Sequence, residues 1–210
     1  MISAEVGLGR GEVGRLATAR VVRHYPGILA DLSKLGLAGA ALELVREAVP
    51  VREPDARVFR TTVELFERLE HADRGREETL IAFELRLMAA IGLAARLDAC
   101  ARCSTAVPPG RAALFDPVAG AVVCQACGGG PFRLSGPTRQ RLLACLGRGW
   151  GDAASEDWPA RVLAEARAAV TAFVSAHLGR KLEGGALVSQ IREVVEAGPG
   201  RATRGERRDG

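Results

Sequence analysis

Apolar residues recur at three- and four-residue spacing along most of the chain, which is the pattern of amphipathic helices. The pattern predicts helices over residues 26–49, 54–71, 77–97 and 157–178, and a further helix for which Ser135 is the N-cap. We expect the apolar stripe of each helix to face the core rather than to form a binding groove. The stripes consist of Ile28, Leu29, Leu32, Leu35, Leu42 and Val45; Phe59, Val63, Phe66 and Leu69; Leu80, Phe83, Leu87, Met88 and Ile91; Leu142, Leu143 and Leu146; and Trp158, Val162, Leu163, Ala166, Val170, Phe173 and Val174.

Two glycines interrupt the first helical pattern. Gly36 and Gly39 lie in its middle, where they either split it into two helices or permit close contact with another helix. Near the C-terminus, residues 186–197 favour one more short helix. Residues 198–210 are rich in Gly and Arg with almost no apolar content, which predicts a disordered basic tail.

Residues 1–23 follow a different pattern. Two segments alternate weakly between apolar and polar residues, as strands do, and a glycine-rich stretch separates them. Two short strands bury too little surface to be stable alone, so we expect them to pair or to pack against something else.

Four cysteines form the most specific chemical motif. Cys100 and Cys103 make one Cys-x-x-Cys pair, and Cys124 and Cys127 make a second pair twenty residues later. Each pair can turn two sulfurs towards one ion, and together they supply the four thiolates of a closed tetrahedral zinc site. Strand-like residues 111–115 and 121–123 flank a turn-like segment, which predicts a β-hairpin between the pairs. The expected zinc ribbon covers residues 98–130 and holds one structural Zn²⁺.

Two other uses of these cysteines are less consistent with the sequence. A redox dithiol needs only one Cys-x-x-Cys pair, and disulfides need an oxidising compartment. No export signal precedes the chain's first helix, and no apolar run approaches the ~20 residues of a membrane span. We therefore expect a chain of the reducing cytoplasm, without a membrane partner. The fifth cysteine, Cys145, lies in a helical pattern and is interpreted as a small buried apolar residue.

Composition and motifs argue against an enzyme. The chain has 210 residues, of which 48% are hydrophobic, enough for a substantial core. Zinc deaminases need His-x-Glu and Pro-Cys-x-x-Cys motifs, but none of the three histidines supplies the first, and Ala99 and Val123 replace the proline of the second. Nucleophile elbows and phosphate-binding loops are also missing from the sequence. No catalytic residue and no small-molecule substrate are predicted.

The net charge of +4 lies in the C-terminal half, which is compatible with contacts to phosphates. Candidate nucleic-acid contacts are Arg139 and Arg141 in one helix and Arg180 and Lys181 after another. For these four side chains the sequence favours solvated helix ends over a phosphate track, since cations near a helix C-terminus are favoured by the helix dipole alone. Arg102 and Arg111 flank the cysteines and are interpreted as compensation for a site that carries a charge of about −2.

The order of these segments resembles the RecO family of bacterial recombination mediators. The resemblance lies in "FELRLMAAIGLAARLDACARC", in the hairpin "FDPVAGAVVCQAC", in the helix start "LSGP" and in the late "HLGRKL". It covers roughly residues 12–187. The cysteine motif of the family corresponds to Cys100, Cys103, Cys124 and Cys127.

The resemblance implies a mainly α fold: a helical bundle domain over residues 24–197 with an inserted four-cysteine zinc ribbon, preceded by a remnant of an OB-fold in residues 1–23. It implies binding of single- and double-stranded DNA, annealing of complementary strands and no covalent chemistry. The implied partners are RecR and single-strand-binding protein, with RecA loaded indirectly, in the bacterial cytoplasm at the nucleoid.

One departure from the family pattern concerns the OB barrel, a nucleic-acid surface with a groove and stacking aromatic residues. Residues 1–23 match only the last strands of such a barrel. The alternative interpretation is a helical zinc-ribbon module that contacts proteins without binding DNA itself.

Overall fold

The computed structural model describes residues 1–7, 14–50, 53–147, 150 and 154–178. In these residues, helices form the main body and two small antiparallel sheets are attached to it. The predicted helix at 186–197 and the predicted tail at 198–210 lie outside the described residues. The helices are α1 (Pro26–Leu29), α2 (Leu32–Ala48), α3 (Ala56–His71), α4 (Glu77–Ala90), α5 (Gly136–Leu146) and α6 (Ala160–Leu178), and the strands are β1 (Ile2–Gly7), β2 (Arg15–Val21), β3 (Ala113–Asp116), β4 (Ala121–Val122) and β5 (Phe132–Leu134).

Helix α4 is the centre of the helical domain. It contacts α2, α3, α5 and α6, and eleven of its fourteen residues are buried. Four of the five stripe residues predicted for it are fully buried, with Ile91 packed partly against them. Because neighbours cover α4 on all sides, it is apolar around most of its circumference. Among the described residues, no helix is long and apolar enough to span a membrane.

A charged cluster fixes α6 to α4. The guanidinium of Arg167 donates to both carboxylate oxygens of Glu84, at 2.8 and 2.7 Å, and to Oε1 of Glu77 at 2.8 Å. All three side chains are at most 18% exposed. Because Nη1 donates to Glu84 and Nε donates to Glu77, the two carboxylates fix the orientation of the guanidinium as well as its distance from α4. The predicted apolar face of α6 is confirmed: six of its residues are buried, and Leu163 packs partly against the core.

The sequence pattern assigned the wrong face of α2 to the core, although two residues of the predicted stripe are confirmed: Ile28 of α1 is buried and Val45 packs partly against the core. Leu32, Leu35 and Leu42 are 54, 44 and 50% exposed, and Leu29 of α1 is 73% exposed. The buried face of α2 instead combines Leu37 and Leu44 with small residues, namely Gly36, Ala38, Ala40 and Ala41. Both faces are apolar, and the small residues let the neighbouring helices approach closely. The periodicity alone could not choose between the two faces.

Phe59 of α3 was also predicted to face the core, and it is 59% exposed. The buried positions of α3 are Val58, Leu65 and Leu69. Phe66 packs partly against the core and makes an edge-to-face contact with Tyr25 at 5.5 Å. At the N-terminal end of α3, the buried face is therefore shifted by about one residue from the predicted stripe, from Phe59 to Val58.

Two helix boundaries differ from the prediction by more than three residues. The first helical pattern breaks at Asp31, not at Gly36 or Gly39, because the carboxylate of Asp31 accepts hydrogen bonds from the backbone N–H groups of Ser33 and Lys34 and caps α2. Helix α4 ends at Ala90, seven residues before the predicted end. Gly92 has a φ of +92°, and the chain then runs towards the cysteines without helical structure.

The two N-terminal strands are confirmed, and they pair with each other. Ile2 lies opposite Val21, Ala4 opposite Ala19, and Val6 opposite Leu16. Since directly opposed residues share one face of a sheet, one face of the hairpin is apolar and the other is polar. Every residue of both strands is exposed. The assignment of residues 1–23 to an OB-fold remains a prediction.

The predicted hairpin between the cysteine pairs is confirmed as β3 and β4. Phe115 lies opposite Val122, and the carboxylate of Asp116 accepts backbone hydrogen bonds from Val118 and Ala119 in the connecting turn. A third strand, β5, which the sequence did not indicate, pairs with β3 on its other side. The resulting sheet has the order β4-β3-β5.

Ser135 is the predicted N-cap of α5, and its hydroxyl accepts the backbone N–H of Thr138. Glu165 of α6 strengthens this cap, because its carboxylate accepts the backbone N–H of Ser135 at 3.0 Å and the hydroxyl of Thr138 at 2.7 Å. Burial of Glu165 alone would raise its pKa, but these hydrogen bonds outweigh burial and lower the pKa to about 2.

Because the pKa of Glu165 is lower in the folded chain than the ordinary value of 4.5, its contribution to stability is complete above pH ~4.5 and is lost as the pH falls towards 2. We expect Glu165→Gln to reduce the free energy of unfolding by about 1–2 kcal/mol near neutral pH. The difference from the unchanged chain should shrink on acidification, as measured by denaturant unfolding at several pH values. Glu156→Gln, at an exposed position, is the control with little effect. A difference for Glu165→Gln that stays constant with pH would contradict this account.

Candidate metal centre and its attachment to the helical domain

The two cysteine pairs form two tight turns with a common backbone design. In the first turn, the backbone N–H of Ser104 donates to the carbonyl of Cys100 at 3.0 Å, and Ser104 has a φ of +59°. In the second, Gly129 donates to the carbonyl of Cys124 at 3.0 Å, and Gly128 has a φ of +105°. Each turn thus reverses in the left-handed region directly after its second cysteine. Glycine adopts that region without strain, whereas serine does so at some cost.

The turns bring four sulfurs together. The Sγ atoms of Cys100, Cys103, Cys124 and Cys127 all lie within 4.8 Å of one another, and those of Cys103 and Cys124 are 3.7 Å apart. A tetrahedron with metal–sulfur bonds of about 2.3 Å has edges of about 3.8 Å. The donor set and its spacing therefore fit a single four-coordinate ion. Cys100 is buried, Cys124 and Cys127 are half-buried, and Cys103 is exposed.

Backbone groups stabilise negative charge at one end of this cluster. The N–H of Cys124 donates to Sγ of Cys100 at 3.3 Å, and together with the N–H groups of Cys103 and Arg102 it lowers the pKa of the Cys100 thiol to about 6. At the other end, the neighbouring sulfur of Cys124 is the main reason that the pKa of the Cys127 thiol is raised to about 12. Four thiolates at this spacing need a cation to hold them together.

Cys145 does not belong to the cluster. It lies on α5, is fully buried, and burial raises the pKa of its thiol to about 12. This confirms the interpretation of Cys145 as a small core residue.

Comparison with known proteins gives the family. The family model "Recombination protein O C terminal" matches residues 29–184. The DNA repair protein RecO of Anaeromyxobacter sp. (strain K) is 36% identical over 201 residues, which cover 94% of this chain and 78% of the relative. The chain belongs to the RecO family. RecO proteins of Pelobacter propionicus and Myxococcus xanthus are 32% and 33% identical, over 90% and 87% of this chain and 75% and 72% of their own lengths.

In this RecO family chain, Arg139 attaches the ribbon to the helices. It was predicted to contact nucleic acid, and the structure contradicts that role because Arg139 is only 1% exposed. Its guanidinium donates to the carbonyls of Leu97 at 2.8 Å, Arg111 at 3.0 Å and Val107 at 3.3 Å, and also to that of Pro108. Leu97 precedes the first cysteine turn, Val107 and Pro108 follow it, and Arg111 leads into β3. One side chain of α5 therefore fixes both ends of that turn.

No local pattern in the sequence reveals this role. Arg139 stands in the first turns of an amphipathic helix, where exposed cations are common, and its four acceptors are backbone carbonyls that lie 28 to 42 residues away. Only the folded chain shows that these carbonyls converge. Buried polar groups are almost always satisfied in this way.

The remaining basic candidates have different surroundings. Arg141 points away from the core, is 35% exposed and pairs with Glu156. Arg180 and Lys181 lie outside the described residues. Arg102 donates to the carbonyl of Cys127 at 2.5 Å and so links the two cysteine turns.

The ribbon also packs on α6. Phe115 of β3 and Phe173 of α6 meet edge to face, with ring centroids 6.1 Å apart. A Cβ added at Gly120, in the turn between β3 and β4, would come within 2.8 Å of the Phe173 ring. Gly120 also has a φ of +60°, so both the close contact and the backbone conformation require glycine here.

We expect Arg139→Met to lower the free energy of unfolding by about 3 kcal/mol, because it removes the donor to the carbonyls of Leu97, Val107 and Arg111, whereas the carbonyl of Pro108 keeps the backbone N–H of Arg111. Arg141→Met, two residues along the same helix, removes the same charge and should cost less than about 1 kcal/mol. Denaturant unfolding of the two variants measures the difference. Similar losses for both would show that Arg139 has no special structural role.

Proposed function

We propose that this chain binds DNA and partner proteins as a recombination mediator, and that its four cysteines hold one structural zinc ion. The observation that carries the proposal is the family match over residues 29–184, which includes a four-sulfur cluster of tetrahedral spacing. The relatives are DNA repair proteins. Annealing of complementary strands, contacts with RecR and single-strand-binding protein, and indirect loading of RecA are part of the proposal.

The donor set supports zinc. Four thiolates from two Cys-x-x-Cys turns are the typical ligands of structural zinc, and they leave no open coordination position for water or substrate. The ion would neutralise part of the thiolate charge and hold the two turns together. The proposed activity is therefore binding and not catalysis, and we assign it to the bacterial cytoplasm at the nucleoid.

Basic side chains provide the proposed DNA contacts. Arg141 stays a candidate, as do Arg180 and Lys181, whereas Arg139 is excluded because it is buried. Further exposed cations are Arg102 and Arg111 in the ribbon and Arg133 in β5. Binding through such contacts would be electrostatic and independent of DNA sequence.

Zinc content tests the first part of the proposal. Metal analysis of reduced, purified chain is expected to give one zinc per chain, and Cys103→Ser should lose most of it while Cys145→Ala retains it. Since protons compete for the thiolates, the apparent zinc affinity should fall as the pH is lowered. Absence of zinc from the reduced chain, or equal loss in both variants, would overturn the assignment.

DNA titration tests the second part. At low salt, labelled single-stranded DNA should bind, and log K should fall linearly with log salt concentration. Arg141→Gln should reduce the slope by about one, whereas Arg57→Gln, the same charge change at an exposed position of α3, should not. No binding by the zinc-loaded chain at low salt would favour the alternative function, a zinc-ribbon module that contacts only proteins.

A further inference from the structure

The four cysteines of the metal centre differ in their access to solvent. Cys103 is exposed. Cys124 and Cys127 are half-buried, and Cys100 is only 1% exposed. Metal binding keeps each of them deprotonated, and oxidation of cysteine follows thiolate character and exposure. A small oxidant that diffuses to the cluster therefore meets the sulfur of Cys103 first.

The backbone also singles out Cys103. Each turn reverses in the left-handed region directly after its second cysteine, at Ser104 with a φ of +59° and at Gly128 with a φ of +105°. That region is strained for serine and unstrained for glycine. The first turn therefore keeps its shape against strain, which is relieved when Cys103 leaves the metal position. Of the two cysteines that end a turn, Cys103 is the weaker ligand and Cys127 the stronger.

A second sulfur lies next to Cys103, on the other turn. The Sγ atoms of Cys103 and Cys124 are 3.7 Å apart. A disulfide needs the two sulfurs to approach to about 2.05 Å, and the exposed side chain of Cys103 has room to make that movement. An accessible thiolate beside a resolving cysteine is the arrangement found in redox-sensing proteins.

We propose that Cys103 and Cys124 form a peroxide-sensitive switch, in which a disulfide between them replaces two of the four metal ligands. In the first step, the thiolate of Cys103 attacks one oxygen of hydrogen peroxide. The O–O bond breaks, Cys103 becomes a sulfenic acid, and the second oxygen leaves as water with a proton from solvent. In the second step, the thiolate of Cys124 attacks the Cys103 sulfur, and the hydroxyl group leaves as water with another proton. The two sulfurs lose two electrons, which reduce one peroxide to two waters.

Oxidation in this way empties the metal site. Only Cys100 and Cys127 remain as ligands, and two thiolates do not complete the tetrahedral site that holds zinc. The chain therefore releases the ion, and the disulfide joins the two turns in its place. The altered turn carries Arg102, whose guanidinium donates to the carbonyl of Cys127 and which is one of the proposed DNA contacts. In a reducing compartment such disulfides are transient, so reduction restores the site.

Zinc release tests the switch, which rests on the zinc site of the proposed function. The full zinc-loaded chain is titrated with hydrogen peroxide beside a chromogenic zinc chelator. One zinc should appear for each peroxide consumed and for each two thiols lost, and excess dithiothreitol with added zinc should restore the site. Cys145→Ala is the control and should behave as the unchanged chain does, because Cys145 is buried on α5.

The zinc content before oxidation distinguishes the two possible failures. A reduced chain that holds no zinc at the start overturns the metal assignment, and the switch with it. A loaded chain that keeps its zinc and its thiols through several equivalents of peroxide overturns the switch alone.

Peptide mapping of the oxidised chain identifies the pair. Trypsin cuts after arginine, so Cys103 is the only cysteine of peptide 103–111, and the second pair lies in peptide 112–133. Mapped without reduction, these two peptides should be joined, with fragmentation placing the bond at Cys124 and not at Cys127. A main product whose bond lies within the first pair, or within peptide 112–133, would overturn the assignment.

Histidine in place of one cysteine separates metal binding from oxidation. Structural zinc accepts three cysteines and one histidine, so Cys103→His and Cys127→His should both bind it. Cys103→His lacks the attacked sulfur and should release zinc several-fold more slowly, whereas Cys127→His keeps the reacting pair and should release it at the normal rate. Equal rates for the two variants would overturn the switch, and the peptide map of the unchanged chain decides where a variant binds zinc weakly.

Discussion

The position of the ribbon depends on one buried cation. Among the described residues, no carboxylate pairs with the guanidinium of Arg139, which is held instead by four carbonyl oxygens. Since a charge in a low-dielectric interior is tolerated only when it is fully hydrogen-bonded, the segments around Leu97, Val107 and Arg111 must stay in place for α5 to pack. The first cysteine turn is closed between these segments. The helical domain and the ribbon are therefore coupled by the same interaction that satisfies the cation.

The four cysteines are a second place where charge must be balanced. Their backbone turns place four sulfurs at a spacing that suits an ion and that is unfavourable for four thiolates without one. Phe115 and Gly120 of the same sheet and turn pack against Phe173 of α6. The ribbon thus has two anchors on the helices, one polar at Arg139 and one apolar at Phe173, and we propose that zinc fixes its outer end.

Sequence analysis identified the parts that depend on short spacings, such as the cysteine pairs, the turn at Asp116 and the Ser135 cap, because these contacts involve neighbours along the chain. It failed where contacts between segments that are distant in sequence determine which side chains are buried. Arg139 looked like an exposed helix cation because its acceptors are remote in sequence. The leucines of α2 looked like core because both faces of that helix are apolar, and close packing through Gly36, Ala40 and Ala41 buried the face with fewer large side chains.

Hydrogen exchange with and without the metal tests the central claim most directly, namely that an ion at the four cysteines fixes the outer end of a ribbon that Arg139 and Phe173 anchor on the helices. The amides of Ala101, Val122 and Val123 donate within the ribbon, to Val122, Arg96 and Leu114 respectively. Chelation should expose these three amides to exchange while the amides of α4 stay protected. Ribbon amides that remain equally protected after complete removal of the metal would contradict the account.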